Sequence, residues 1–199
     1  MVMYIEKWFA ELPRITTGFF FIYLTTGIIA AFWPSYAIEY YLVHHHKSFS
    51  VRLMSFLYFG ECLSVGYWYE FILFLIYSKS LEEEYSYHYR RAYYFFCLLL
   101  GVVIILLLTM LKPLETYLLS ESFVFYIVFL YNNSKNPNGT TVFLPVLWID
   151  NKYMIIVLIF INALFRPFLW AEYLIGIVAG FLFMKLERKP FIRDSFGRI

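Results

Sequence analysis

The chain has 199 residues, of which 62% are hydrophobic, 24% aromatic and only 15% charged. A soluble domain is about 45–50% apolar and about 25% charged, so this composition indicates an integral membrane protein that forms one compact unit. The net charge of +2 gives no reason to expect a nucleic-acid partner. Cys62 and Cys97 fall in apolar runs without a disulfide framework or metal-ligand spacing, so we expect no metal site and no cofactor.

The first 14 residues have the pattern of a short amphipathic helix. Apolar residues, Trp8 among them, recur at helical spacing between charged ones, and Pro13 ends the pattern. Four charges, and the lack of a short apolar core followed by small residues, argue against a cleavable signal peptide. Residues 1–14 are therefore predicted to lie in the membrane interface, and the first transmembrane segment is expected to direct targeting.

Six apolar segments follow, and the first and third are the clearest. Residues 15–38 and 92–111 carry no charge, and a helix needs about 20 residues to span a bilayer. The second segment, 53–78, contains Glu61 and Glu70. The last three are shorter, with uncharged parts at residues 122–131, 153–165 and 173–184. We expect these three helices to be shorter and more deeply buried, although hydropathy alone also allows five spans.

The distribution of Lys and Arg favours six spans. With the N-terminus in the cytosol, twelve of the 16 Lys and Arg fall in cytosolic segments and four on the other side. We therefore predict an all-α, polytopic six-helix domain over residues 15–186 and a short cytosolic tail over 187–199, with both termini cytosolic. The sequons at Asn132 and Asn138 then face the cytosol and stay unmodified.

Two glycines in the last apolar segment predict a close helix crossing. Gly176 and Gly180 are four residues apart, a spacing that lets a second helix approach closely in lipid. We expect the fourth helix to pack against them.

Polar residues within the apolar segments are candidates for a substrate path. Glu70 is placed midway along the second segment, and a charge at the bilayer centre costs about 2.5–3.5 kcal/mol. Asn162, Arg166 and Glu172 are placed on the luminal side of the fifth and sixth helices. Either Glu70 lines a polar groove or it makes a structural contact. Likewise, Arg166 and Glu172 either polarise the groove or form an interfacial ion pair.

Five short motifs occur in one order along the chain: WFAELPRIT (8–16), RLMSFLYFG (52–60), YSKSLEE (77–83), SKNPN (134–138) and LIGIVAG (174–180). Together they resemble the derlins, the rhomboid-like pseudoproteases of the endoplasmic reticulum, over nearly the whole chain. The matching positions are Trp8, Pro13, Arg52, Leu81, Glu82, Asn136 and Pro137.

Each motif also has a plain structural interpretation. Leu81 and Glu82 belong to a predicted charged turn after the second helix, which is either a solvated cap or, as in the derlins, a packing element of the cytosolic face. Asn136 and Pro137 start a turn, because proline disfavours the helical conformation in the residue before it. Asn136 is either only a turn residue or also a contact site. Arg52 resembles the arginine of a Trp-Arg pair in the first loop, although Val51 stands in place of the tryptophan.

The resemblance implies a rhomboid-like fold without proteolysis. Rhomboid proteases need a Gly-x-Ser-Gly turn at the start of the fourth helix and a histidine after the second glycine of the sixth. This sequence has no Gly-x-Ser-Gly, and Phe181 follows the second glycine. Because a hydroxyl nucleophile needs a base within hydrogen-bond reach, we expect no catalytic residue. We interpret Phe181 as filling the place of the histidine.

The resemblance further implies a role in endoplasmic-reticulum-associated degradation. Such a protein assists retrotranslocation of misfolded proteins from lumen or membrane to cytosol. From Glu70 and the short last three helices, we expect this chain to do so by a polar groove and local bilayer thinning. The expected partners are a membrane ubiquitin-ligase complex, misfolded polypeptides and the lipid bilayer. An AAA ATPase is expected only indirectly, because the tail SFGRI lacks the glycine-rich recruitment motif. The alternatives are a small polytopic transporter or channel and, less favoured, an active rhomboid protease.

Overall fold

A computed structural model describes residues 10–35, 53, 55–58, 60, 62–88, 91–110, 118–134, 140–144, 147–165 and 170–187. In these residues six long helices form the fold: α1 Arg14–Phe32, α2 Val65–His88, α3 Arg91–Met110, α4 Leu119–Ser134, α5 Asn151–Phe165 and α6 Trp170–Glu187. The predicted all-α membrane bundle is confirmed. One element was not expected, an antiparallel hairpin of β1 Thr140–Leu144 and β2 Leu147–Asp150.

Two of the helices are long and apolar enough to cross a membrane. These are α1 and the part of α3 from Ala92 to Met110, with mean hydropathies of 1.8 and 2.6. The shorter apolar stretch Tyr153–Ala163 lies within α5. α4, α5 and α6 have 16, 15 and 18 residues, against 19, 24 and 20 for α1, α2 and α3.

The bounds of α2 differ from the expected second segment. α2 begins at Val65 because the Ser64 hydroxyl accepts a hydrogen bond from the Gly66 amide (3.2 Å), the geometry of an N-terminal cap. The helix then continues through the acidic residues to His88. Two expectations are therefore wrong: Glu70 lies in the second turn of α2 instead of midway, and Leu81 and Glu82 lie within the helix instead of in a turn after it.

α4 occupies the centre of the bundle. Residues 119–128 are all buried, including the polar Ser120, Glu121 and Ser122. A helix that is buried all round is typical of a core helix. α4 packs most extensively on α6 and also contacts α2, α3 and α5, whereas α1 packs on α2.

Small residues let α4 approach its neighbours closely. A Cβ atom on Gly176 of α6 would collide with the Ser122 carbonyl oxygen, and one on Gly180 with the Phe129 ring. On the same face of α4, the Tyr126 ring lies directly over Gly101 of α3, and its hydroxyl donates to the Cys97 carbonyl (2.8 Å). α3, α4 and α6 thus pack against one another, and glycines on α3 and α6 make room for the backbone and rings of α4.

The described loop residues before α2 are fastened to two helices. Tyr23 of α1 donates to the Phe56 carbonyl (3.0 Å), and Thr26 of α1 donates to the Leu57 carbonyl (2.7 Å). Ser120 of α4 donates to the carbonyl of the next loop residue, Tyr58 (2.6 Å). Three consecutive carbonyls thereby receive side-chain donors, as irregular backbone buried in a membrane protein requires.

We predict that Gly176→Ala destabilises the bundle by about 1–3 kcal/mol, because the new methyl group meets a backbone carbonyl that cannot rotate away. Gly18→Ala is the matched control, since Gly18 is also helical but has nothing within 4 Å of the added Cβ. Denaturant unfolding in detergent micelles, followed by tryptophan fluorescence, measures both variants. Equal midpoints for the two variants would contradict the close crossing.

Candidate functional site

The side chains between the helices define two ends of the bundle. The start of α1 meets the end of α2, the start of α3 meets the end of α6, and the end of α4 also meets the end of α2. We call this the Glu82 end. The opposite end, where the start of α2 meets the end of α5, is the Glu70 end.

Glu82 caps the start of α1 from another helix. Its side chain is 1% exposed, and its carboxylate accepts hydrogen bonds from the amides of Ile15 (3.0 Å) and Thr16 (2.7 Å) and from the Thr16 hydroxyl (2.8 Å). The first amides of a helix have no partner within it, and Pro13 at the N-cap position supplies no side-chain acceptor. The carboxylate also suits the positive end of the helix dipole.

A buried chain of hydroxyl groups extends this contact to α3. The Thr16 hydroxyl lies 3.0 Å from the hydroxyl of Ser78, which in turn lies 2.7 Å from the hydroxyl of Tyr94. All three side chains are buried. α1, α2 and α3 are therefore joined at the Glu82 end by one continuous polar network.

The three consecutive glutamates of α2 have different roles. Glu84 accepts a hydrogen bond from Ser134 at the end of α4 (3.0 Å). Glu83 is exposed and lies 3.9 Å from Lys79, a geometry that contributes little to stability. Glu82 and Leu81 are 1% and 0% exposed, so the solvated-cap interpretation of these two positions is wrong.

A cleft of about 520 Å³, lined by both charged and apolar residues, opens beside Glu82. It is lined by the start of α1 with its preceding residues and by the end of α2: Glu11, Leu12, Pro13, Arg14, Glu82, Glu83 and Ser86. Lys79 bridges this cleft's two sides, 4.0 Å from Glu11. In the part of the chain that the structure describes, no three metal-ligating side chains come together.

Three carboxyl groups are buried at the Glu70 end. Glu70, Glu121 and Glu172 are 2%, 1% and 0% exposed and lie in the first two turns of α2, α4 and α6. Carboxylates near helix N-termini are favoured by the helix dipole. The sequence pattern did not single out Glu121, because a charge at the edge of an apolar segment is typical of a helix end in the membrane interface.

The contact between α2 and α5 is made by side chains. Asn162 of α5 is 3% exposed, donates to the Leu158 carbonyl (2.9 Å) and reaches the Tyr69 hydroxyl of α2 (3.4 Å). The Tyr69 hydroxyl is also within electrostatic reach of Glu70 and Glu121. Nearer the Glu82 end, the Tyr77 hydroxyl of α2 donates to the Met154 sulfur of α5 (3.8 Å). Glu70 and Asn162 thus lie near one buried polar junction, to which Tyr69 is the unforeseen contributor.

Phe181 does not fill an internal site. Its side chain is 50% exposed, and the Lys185 ammonium lies 4.6 Å from the ring centroid. Successive helical residues point about 100° apart, so the residue after the inward-facing Gly180 turns away from α4. The earlier interpretation of Phe181 is therefore wrong. A buried α6 side chain that packs on α4 is Tyr173, whose ring centroid lies 4.6 Å from that of Phe125.

Neither serine at the start of α4 has the environment of a nucleophile. Ser120 donates to the Tyr58 carbonyl, and the buried Ser122 hydroxyl has no hydrogen-bond partner among the described residues. A serine nucleophile needs a base within hydrogen-bond reach. The remaining predicted positions lie outside the described residues: Trp8, Arg52, Asn136, Pro137 and Arg166. The Arg166–Glu172 ion pair therefore stays a prediction.

Comparison with known families gives a match over nearly the whole chain. Residues 11–198 match the model of the Der1-like family. Among curated proteins, none matches the chain significantly. The family match takes in all six helices and the hairpin, and with them both polar ends of the bundle.

We predict that Glu82→Ala destabilises the protein, because each buried donor left without an acceptor costs about 1–3 kcal/mol. Glu82→Gln should be intermediate, since its amide oxygen still accepts. The neighbouring Glu83→Ala is the control, and an exposed substitution of this kind stays within about 0.5 kcal/mol. The variants are ranked by their thermal midpoints in detergent. The midpoint is measured from the fraction of protein that stays monodisperse on size-exclusion chromatography. If Glu82→Ala had the same thermal midpoint as Glu83→Ala, the capping role would be wrong.

Proposed function

Because the chain belongs to the Der1-like family, we propose that it is a non-proteolytic, derlin-like component of endoplasmic-reticulum-associated degradation. In this role it assists the passage of misfolded polypeptides from the lumen or membrane to the cytosol. The observation that carries the derlin-type role is the family match over nearly the whole chain. The missing Gly-x-Ser-Gly motif and the surroundings of Ser120 and Ser122 support a role without proteolysis.

The family and the apolar helices identify a membrane protein. We place it in the endoplasmic reticulum membrane with six spans and both termini cytosolic, on the distribution of Lys and Arg. In this orientation the Glu82 end faces the cytosol and the Glu70 end faces the lumen. The buried carboxyl groups then lie on the side from which luminal clients arrive.

We assign the polar path to the α2–α5 junction. Glu70, Asn162 and Glu172 are buried, so this arrangement is a closed one. α2 is fixed to α1 and α3 by the network around Glu82, whereas α5 meets it through Tyr69 and Tyr77. Separation of α5 from α2 would expose the polar ends of Tyr69 and Asn162 and offer hydrogen bonds to a client crossing hydrocarbon.

The short α5, whose outer surface is exposed, supports local thinning of the bilayer. At 1.5 Å per residue, α5 is about 22 Å long. The hydrocarbon core of a bilayer is about 30 Å thick. A helix shorter than this core favours thinning beside it. A thinner bilayer next to α5 reduces the distance over which a client must leave water.

A protein with this role needs partners that ubiquitinate the client and partners that pull it into the cytosol. We propose a membrane ubiquitin-ligase complex as the direct partner and misfolded polypeptides as clients. An AAA ATPase then acts through that complex and not on this chain directly. Mild-detergent purification of the full chain should recover ligase components.

We predict that tethering α5 to α2 slows the degradation of a misfolded luminal protein. The test uses Tyr69→Cys with Asn162→Cys, joined by a bismaleimide in a background where Cys62 and Cys97 are Ser. Client turnover is measured by pulse-chase in cells depleted of the native protein. The tethered chain should restore less turnover than the same variant before cross-linking.

The control places the same tether where no opening is proposed. Phe20→Cys with Ile72→Cys spans α1 and α2, which line one groove. This pair should leave turnover unchanged after cross-linking. Equal slowing by both tethers, or no slowing by either, would contradict opening at the α2–α5 junction. Normal client turnover after depletion of the protein would contradict the degradation role itself.

Glycosylation tests the orientation. The sequon at Asn138 should stay unmodified, because it faces the cytosol. His46→Asn places a sequon before Lys47 and Ser48 in the loop predicted to be luminal, and this variant should be glycosylated. Asn132 is less informative, since it lies half-buried within α4. An endoglycosidase-sensitive band for wild type, or none for His46→Asn, would overturn the six-span orientation.

A further inference from the structure

The hairpin between α4 and α5 is unusually apolar for a surface loop. Residues 139–149 carry no charge and read GTTVFLPVLWI. An isolated two-stranded hairpin is marginally stable in water. A hairpin that faces water on one side normally alternates apolar and polar residues along each strand.

The strand register places apolar residues on both faces of this hairpin. Val142 is paired with Trp148, and Thr141 with Ile149. Cross-strand partners share a face, and successive pairs lie on opposite faces. The polar pair Thr140–Asp150 lies at the open end of the hairpin, and apolar positions occupy both faces beyond it. A third strand added to an edge would pair the backbone but would leave these apolar positions on both faces, so edge pairing does not account for the composition.

The position of the hairpin supplies the surroundings that its faces need. Asp150 ends β2 and Asn151 begins α5 without a linker, and both strands lie beside α5. The outer surface of α5 is apolar, with Tyr153, Ile156 and Phe160 exposed to 52%, 64% and 65%. The hairpin is thus continuous with a lipid-facing helix surface at the level where that helix begins.

We propose that the β1–β2 hairpin lies in the headgroup region of the bilayer and anchors the start of α5 there. Its occupant is the lipid of the adjacent leaflet, with Trp148 at the depth where tryptophan is enriched in membrane proteins. Lys135 and Lys152, which flank the hairpin in sequence, carry the charge that anionic headgroups attract. The inference rests on the proposed spanning of the membrane by α5.

Anchoring of this kind bears on the short α5. The helix is about 22 Å long, so its start must lie within the hydrocarbon or the bilayer must thin to meet it. An interfacial hairpin covers the start of α5 with an apolar ribbon whose backbone is paired within itself. It thereby holds the leaflet close to the helix on the side where α5 is proposed to move.

Depth-dependent quenching tests the inference. The full chain, with Trp148 as its single tryptophan (Trp8, Trp33, Trp68 and Trp170→Phe), is reconstituted in phosphatidylcholine vesicles whose acyl chains carry bromine either near the headgroup or near the chain end. Trp148 should be quenched most by bromine near the headgroup, and iodide should quench it less than free N-acetyltryptophanamide. The wild-type minus Trp148→Phe difference spectrum gives the same reading without the other four substitutions.

A second probe separates this inference from the spanning of α5. Phe160→Trp, with the five native tryptophans replaced by Phe, should be quenched most by bromine near the chain end. If this probe behaves so while Trp148 is open to iodide and insensitive to brominated lipid, the hairpin is in water and the inference is wrong. Shielding of Trp148 from both quenchers would mean that protein covers it, which also overturns the inference. If neither probe responds to brominated lipid, the spanning of α5 fails as well.

Discussion

The carboxylate of Glu82 at the start of α1 is the contact on which one end of the bundle depends. α1 follows a proline that provides no capping side chain, so its first amides need an acceptor from elsewhere. Glu82 supplies it from α2, and its burial is tolerated because amides, a hydroxyl and the helix dipole all compensate the charge. Ser78 and Tyr94 carry the same network to α3. α1, α2 and α3 are thus held in register by polar contacts with one another, which lipid cannot provide.

The centre of the bundle is built on a different constraint, the distance between helix axes. α4 is enclosed by protein. Glycines on α6 and α3 let α4 approach these two helices so closely that only backbone atoms and aromatic rings fit between them. In lipid the hydrophobic effect does not drive helices together, so close packing and hydrogen bonds must do so. The aromatic rings on α4 and the glycines facing them provide that packing. A side chain in place of Gly176 would push α6 away from the backbone of α4.

In contrast to these closely packed parts, the α2–α5 junction is the place where we propose that the bundle opens. Its contacts are made by the ends of Tyr69, Tyr77, Asn162 and Met154 and not by close backbones. Such contacts can be exchanged for contacts with a client polypeptide at small cost, because the polar groups find new partners. The buried carboxyl groups lie at the end of this junction, and the apolar hairpin lies at the start of α5. A fixed α1–α2–α3 unit beside a loosely joined helix is an arrangement suited to admitting a chain.

The sequence by itself determined the membrane class, the six helical segments and the helix face carrying Gly176 and Gly180, because composition and spacing are local properties. The start of α2 at the Ser64 cap is also a local property, but the sequence did not show that α2 continues through Glu82 and Glu84, whose partners lie on α1 and α4. Nor did it show that Phe181 faces outward, which depends on how α6 is rotated against α4. The hairpin was missed because its apolar residues carry no strand alternation. Only the tertiary structure decided these points, because the deciding contacts join residues far apart in sequence, such as Glu82 and Thr16, which are 66 residues apart.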